Sequence, residues 1–431
     1  MNYDIVIAGT ELVEKNDGKP YYIGIQGSRI AYIGNRAVTG KRVINAYNHL
    51  AVPGWVNAHT HVAMTLFRSY ADDMALMDWL QQKIWPMEKK LDGKAVYWGS
   101  LLGQAEMIRT GTTAFADMYI FEENVAEAVR DSGLRAVLSC GLTGQTKQDG
   151  EMSLQENLQL FKNWQGACDG RIHVMLGPHA PYTCSNDFLE RVIDKAQELG
   201  AQIHMHLAET ATEVTACKEK YGMSPIALME SLGVFSTGCL AAHCVHVDEA
   251  DLAILARNHV RVGHNPQSNL KLASGVAPVS AMLSQSIPVG LGTDGASSNN
   301  NLDMLEEVRL AALLAKTAEN NPKAVPAEQA LQMGTRLGAI AIGVPDTGEL
   351  TIGKKADIVL YNMDSPAWYP RYDRVSLLVY AASSYDVDTV LVDGKILLDK
   401  GEFTTIDLEK TVAEVQQVTN RFPVKIQRGL Q

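Results

Sequence analysis

The spacing of apolar residues changes twice along this chain, and the two changes mark out its architecture. Residues 3–50 carry short β-branched and aromatic runs (Ile5-Val6-Ile7, 21–25, 29–33) separated by Gly, Asn and Asp, with no helical period. A crowd of large apolar side chains follows over 64–95, including Met64, Phe67, Trp79, Leu80, Ile84, Trp85 and Met87. From about 97 to 320, helical and extended patterns alternate. Strands are predicted near 51–58, 112–116, 135–139, 173–176, 201–207, 239–242, 260–263 and 287–292. Helices are predicted between them at 97–109, 124–131, 154–163, 186–199, 224–232, 248–257 and 278–284. Ser185 caps one of these, and Gly133 and Gly200 stop two. Such alternation builds parallel strands, and eight units build an α/β fold of the (β/α)8 TIM-barrel type. No Gly-x-Gly-x-x-Gly follows an early strand, which argues against an open doubly wound sheet.

After two more helices, near 302–318 and 327–341, the pattern returns to β at 355–361 and 389–397, with a hairpin turn at Asp393-Gly394. Neither chain end has enough strands to bury a core alone, so the two are expected to pair. The chain then divides into a small composite β-sandwich domain, 1–50 with 350–431, and a barrel domain, 51–349.

Composition changes this picture little but removes some functions. With 431 residues, 46% of them hydrophobic, the chain can fill a barrel core. Its net charge is −11 and it has no basic tract, so no nucleic-acid partner is expected. Six cysteines form no Cys-x-x-Cys pair and read as reduced thiols of a cytoplasmic protein. The start, Met1-Asn2-Tyr3-Asp4, lacks the features of a signal peptide, and no apolar run is long enough to span a membrane.

The chemistry lies where polar residues meet strand ends, because the C-terminal rim of such a barrel is its active face. His59 and His61 alternate at the end of the first predicted strand, so their imidazoles project together. Alone, such a pair is more often a core or surface feature than a metal site. However, His204 and His206 end the fifth strand just ahead of Glu209, His243 ends the sixth, and Asp294 follows the eighth. Four distant segments thus deliver imidazoles and carboxylates to one rim, which points to a metal centre. His204 and His206 share a face and either can be the ligand; His206 is preferred because it lies nearer the strand end and Glu209. His179 ends the fourth strand on the same rim, whereas His173 begins that strand on the stability face. His49, His246, His259 and His264 read as ordinary residues. The apolar stretch over 64–95 suits core, an oligomer contact or a lid over the rim.

Five segments carry a family resemblance: Pro53-Gly54-Trp55-Val56-Asn57-Ala58-His59-Thr60-His61, His206-Leu207-Ala208-Glu209-Thr210, Ala242-His243-Cys244-Val245-His246, 264–272 and 292–300. In order and spacing they resemble the amidohydrolase superfamily over almost the whole chain. Within it the chain is similar to the branch of 5'-methylthioadenosine/S-adenosylhomocysteine deaminases and related amino- and chlorohydrolases. The resemblance implies one Zn2+ per subunit, with Fe2+ as the alternative, held by His59, His61, His206 and Asp294. Two-metal members carry a carboxylated lysine at the end of the fourth strand, where His179 stands here. Hydrolytic deamination of the adenine ring of 5'-methylthioadenosine, S-adenosylhomocysteine or adenosine is then expected, with Glu209, His243 and Asp294 as catalytic groups. Glu88 is expected to receive the ribose hydroxyls, and Trp85, His179 and Ser298 to complete the substrate site. Without the resemblance, Glu88 reads as a solvated helix residue beside Lys89 and Lys90.

One departure concerns the substrate tail. Some relatives that take S-adenosylhomocysteine place arginines where this chain has Cys140 and Ser153. Arginine is the natural bidentate partner of an amino-acid carboxylate, so its absence tilts the expectation toward methylthioadenosine. Arg135, Lys147 or an arginine of another subunit are the available replacements. Rival readings are a guanine- or 8-oxoguanine-type deaminase, an s-triazine amino- or chlorohydrolase, and a catalytically inactive scaffold relative. A binding protein with a structural metal is disfavoured by Glu209 and His243, since structural sites are closed and lack neighbouring acid–base groups. The expected partners are a small-molecule substrate and further copies of the chain, as a dimer or tetramer, with no membrane.

Overall fold

The computed structural model describes residues 2–146 and 149–422. Lys147, one of the candidate tail partners, lies outside the described residues. Eight parallel strands form the barrel: Trp55–Thr60, Thr112–Tyr119, Arg135–Leu142, Ile172–Val174, Ile203–Leu207, Cys239–His243, Arg261–His264 and Val289–Leu291. They are buried along almost their whole length, as strands covered by helices on one side and packed core on the other must be. The first four pair as one parallel sheet and the last four as another. At one seam between the sheets, Leu176 bridges Ile203, and the His206 N–H donates to the His179 carbonyl at 2.9 Å. At the other seam, the Asp294 N–H donates to the His59 carbonyl at 3.0 Å. The seam bonds therefore join residues of the candidate rim to one another.

Both chain ends meet in one nine-stranded sheet, as expected from their β patterning. His49–Pro53 pairs antiparallel with Ile358–Asn362, linking the N-terminal strands to the C-terminal ones. The two halves enclose a small core that includes Ile7, Ile23, Ile25, Ile30, Ile358 and Leu391. The strand expected over 51–58 is in fact two strands. The first belongs to the small sheet, and the barrel strand begins at Trp55. Gly54 makes the switch, because a Cβ there would sit 2.0 Å from Thr113 Oγ1. The local signal for that break is the turn pair Pro53-Gly54 that follows the apolar run Leu50-Ala51-Val52.

Among the described residues, the helices not foreseen include the short Pro266–Lys271 and Arg374–Tyr380 and two longer ones. Ala211–Tyr221 starts where Thr210 accepts the Glu213 N–H. Leu408–Thr419, in a region expected to be β, buries Thr411, Val415 and Val418 at helical spacing and packs on Gly93–Arg109. The stretch over 64–95 forms short helical runs that bury Phe67, Trp79, Leu80, Ile84 and Met87.

Arg135 corrects one sequence expectation. It stands at the N-terminal end of the third strand, away from the rim, and is 2% exposed. Its guanidinium grips both Asp357 oxygens, at 3.0 and 3.2 Å, and Asp393 at 2.8 Å. It ties the barrel to the small sheet and is not free to receive a substrate carboxylate. Among the described residues, no helix is long and apolar enough to cross a membrane.

Candidate metal centre and substrate cavity

Each predicted ligand arrives at or just beyond the end of its strand, and each imidazole among them has its ring orientation set by a hydrogen bond behind it. His61 follows the first strand, and its Nδ1 lies 2.5 Å from the Met118 carbonyl. His206, near the end of the fifth, presents Nδ1 to the His179 carbonyl at 2.9 Å. A carbonyl can only accept, so both rings carry a proton on Nδ1 and turn Nε2 inward. His59 presents Nδ1 to His204 Nε2 at 2.9 Å, and its own Nε2 is fully buried without a hydrogen-bond partner. Asp294 Oδ1 lies 3.6 Å from His59 Nε2 and 3.3 Å from His61 Nε2, and His61 Nε2 lies 3.3 Å from His206 Nε2.

These separations fit a metal. Ligands at about 2.0–2.1 Å from Zn2+ in tetrahedral order stand roughly 3.3 Å apart. Three inward nitrogens and a carboxylate oxygen form that set, and an orphaned buried nitrogen otherwise costs about 1–3 kcal/mol. His59, His61 and Asp294 form one metal-competent trio, and His59, His206 and His243 another. His204 and His206 both face inward, as their alternation required, but His204 sits behind His59 rather than in the ligand set.

Electrostatics agree with this division. Burial depresses His59 to about 3 and keeps it neutral. Burial also works against a charge on His61, yet the facing Asp294 carboxylate and the Met118 carbonyl push it up to about 9, a pull toward positive charge at Nε2 that a bound cation would satisfy by displacing the proton there. Asp294 would be raised by burial, but the imidazoles of His59 and His61 hold it well below the usual carboxylate range. Its other oxygen accepts from Ser268 Oγ at 2.7 Å and Ser298 Oγ at 3.0 Å. Ser298, expected to reach the substrate, is thus placed behind Asp294 and is 2% exposed. Its hydroxyl is already committed to the carboxylate.

Glu209 and His243 flank the cluster. Glu209 Oε2 is 3.8 Å from His243 Nε2, and Ser274 Oγ donates to Oε1 at 3.4 Å. Burial raises the Glu209 pKa, so the group is poised to hold a proton. The His243 ring is held by Asn269 Oδ1, 2.8 Å from Nδ1. Glu213 anchors the Glu209 loop by accepting the N–H groups of Ala208 and Glu209, each at 2.9 Å. Sequence reasoning missed that clamp, although Thr210-x-x-Glu213 has the spacing of a capping box. Ala208 (φ 50°), His243 (φ 73°) and Asp294 (φ 59°) all lie in the left-handed region. Such strain in non-glycine residues gathers where a fold must aim functional groups.

The cluster floors a cavity of about 800 Å³. Trp85, Glu88 and His179 all line it, so the structure brings the recognition candidates and the ligands to one space. Glu88 is raised by burial and faces the Tyr119 hydroxyl. The His179 ring lies 4.7 Å from that of His206, and burial depresses its pKa to about 4. Leu76, Trp79 and Leu80 line the cavity, so the apolar stretch after the first strand contributes both to the core and to the cavity wall.

A barrel rim carrying inward imidazoles, an aspartate and a flanking glutamate defines a class, the barrel hydrolases that work with a divalent metal. The amidohydrolase family model matches residues 50–397, and the chain belongs to that family. A protein of Dictyoglomus thermophilum named 5-methylthioadenosine/S-adenosylhomocysteine deaminase is 54% identical over 375 residues, covering 87% of this chain and 88% of the relative. One of the same name from Desulforudis audaxviator is 47% identical over 97% of both chains. The solved zinc-bound adenosine deaminase of Xanthomonas campestris is 33% identical, with a TM-score of 0.92 over 97% of this chain and 98% of that one. Atrazine chlorohydrolase of Arthrobacter aurescens shares the fold, at 24% identity and a TM-score of 0.89 over 96% of this chain and all of that one.

Proposed function

We propose that the protein is a zinc-dependent aminohydrolase that deaminates the adenine ring of 5'-methylthioadenosine or S-adenosylhomocysteine, releasing ammonia and the inosine analogue. The observation that carries this reading is the union, in one cavity, of a metal-competent cluster, an adjacent buried glutamate and a second lining carboxylate, Glu88. The names of the curated relatives support the same chemistry.

His59, His61, His206 and Asp294 hold the metal in this reading. Bound there, a divalent ion would acidify water and so make hydroxide available near neutral pH. Asp294 takes one of the water's protons and passes it to the departing exocyclic nitrogen, and the other, lost from the oxygen as the ring carbonyl forms, restores Glu209. Glu209 holds a proton through its raised pKa and delivers it to the ring nitrogen beside the attacked carbon, which becomes more electrophilic. His243 Nε2 orients the developing oxygen. Glu88 accepts the ribose hydroxyls, and Trp85 with the neighbouring apolar lid covers the 5' substituent and excludes water. His179, depressed by burial, presents a neutral ring to the nucleoside. The proposal includes one Zn2+ per subunit, a cytoplasmic location consistent with six free cysteines, and a homo-oligomer.

Ammonia release should be measured with 5'-methylthioadenosine, S-adenosylhomocysteine, adenosine, guanine, 8-oxoguanine and an s-triazine, with metal content determined on the same sample. Turnover of the adenosine compounds alone is expected. Turnover only of free bases or triazines refutes the reading.

A further inference from the structure

Three imidazoles turn Nε2 inward at the candidate metal centre, but they are oriented by two kinds of partner. His61 and His206 give their Nδ1 protons to carbonyl oxygens. His59 has no such carbonyl. Its Nδ1 meets only another imidazole, His204 Nε2, at 2.9 Å. His204 is fully buried, and its far nitrogen, Nδ1, lies 3.2 Å from Ser139 Oγ. Ser139, also fully buried, donates its hydroxyl hydrogen to the Asp117 carbonyl at 2.9 Å.

The protons in this chain can be placed one by one. A neutral His59 that offers Nε2 carries its proton on Nδ1. His204 Nε2 must then accept, which puts the His204 proton on Nδ1. That proton points at Ser139 Oγ, which accepts it, and the serine's own hydrogen is already spent on the Asp117 carbonyl. Every donor has an acceptor and no proton is left over. The reverse arrangement, with His204 protonated on Nε2, would set two N–H groups against each other or leave the His59 proton on the inward nitrogen.

We propose that His204 is a positioning residue for the metal centre. It accepts the His59 Nδ1 proton, with Ser139 holding it in the accepting tautomer, and so fixes the His59 lone pair toward the metal. The inference rests on the metal-binding reading of the cluster but not on the choice of substrate. Partners of this kind make a ligand imidazole more basic and pre-aim it, and their loss typically costs about 10- to 100-fold in metal affinity.

The test is the Zn2+ dissociation constant of the full chain, measured by competition with a chromophoric chelator after metal removal. Three variants are compared with the unsubstituted protein. His204→Leu removes the acceptor and should weaken binding by roughly 10- to 100-fold. His204→Gln places an amide oxygen near the lost Nε2 and should restore affinity to within a few-fold. Ser139→Ala leaves His204 in place but frees its tautomer, and should weaken binding by roughly three- to tenfold. A merely structural role would make Gln and Leu equally damaging. Wild-type affinity in the Leu variant, equal losses in Gln and Leu, or an unaffected Ser139→Ala protein overturns the proposal. If the Leu variant does not fold, the Gln and Ala variants still decide it, through rescue by one and loss in the other. This ranking of affinities in a protein that fails to deaminate adenosine compounds would overturn the functional reading while leaving the role of His204 standing.

Discussion

Replacing Glu209 by glutamine isolates the acid–base step from everything else the site does. The side chains are nearly isosteric, so the contact with Ser274 Oγ, now 3.4 Å away, survives. Glu209 belongs to neither metal-competent trio, so metal content should stay at the wild-type level. What disappears is the titratable carboxyl, whose pKa burial raises. A positioned acid or base of this kind is worth about 10²–10⁴ in rate, or roughly 2.7–5.5 kcal/mol of barrier at about 1.36 kcal/mol per decade. Stability should move the other way. Burial raises the Glu209 pKa, so ionisation costs more in the folded than in the unfolded chain. Its stabilising contribution is present at low pH and fades as pH rises through the folded pKa, and glutamine never ionises. The assay is ammonia release from 5'-methylthioadenosine across pH, with zinc content and the thermal midpoint of the same samples. The expected variant has kcat lowered by at least about 100-fold, no alkaline limb assignable to residue 209, full zinc and an unchanged or higher midpoint. More than a tenth of wild-type kcat with full zinc, or loss of zinc, refutes the reasoning.

On the proposed ribose role, Glu88→Ala would remove two charge-assisted hydrogen bonds worth about 1.5–3 kcal/mol each. It should lower kcat/KM for the nucleoside by at least about tenfold while leaving zinc in place, and an unchanged kcat/KM refutes the ribose role. Arg135→Met leaves Asp357, whose side chain is 1% exposed, without its cation, and leaves Asp393, 5% exposed, with only Lys355 at 3.0 Å. Stripping one partner from a buried pair costs about 3–5 kcal/mol, read as a fall in the denaturant midpoint, and a loss under about 1 kcal/mol counts against the latch. Asp117, raised to about 6 chiefly by burial, faces Glu122, which burial and Asp117 raise further. Both pKa values lie above their unfolded ones, so the folded chain binds more protons and loses stability as pH rises from about 4 through 6 and above. Glu122→Gln should flatten that fall in urea midpoints taken between pH 5 and 8, and an unchanged slope contradicts the pairing.

Much of this architecture was written in local pattern. The alternation of apolar strands and amphipathic helices specified a parallel barrel, because each unit's period is a property of a dozen neighbouring residues. Strand ends carrying His59, His61, His206, His243 and Asp294 could be read as one rim, because parallel strands in a barrel all finish on the same side. The family motifs pointed to the same residues. What the sequence could not decide were questions of direction and partner. Alternation put His204 and His206 on one face, but only the packed structure shows that one rises into the metal-competent cluster and the other backs His59. Ser298 and Asp294 are four residues apart in a loop of irregular backbone, where no period predicts that the serine turns to the carboxylate rather than the cavity. Arg135 was a free cation on paper, and its place at the N-terminal end of a buried strand commits it to Asp357 and Asp393, more than 200 positions away. Periodicity fixes which face a side chain occupies. The direction of its hydrogen bond depends on atoms brought alongside by the whole barrel, and no stretch of sequence holds them all.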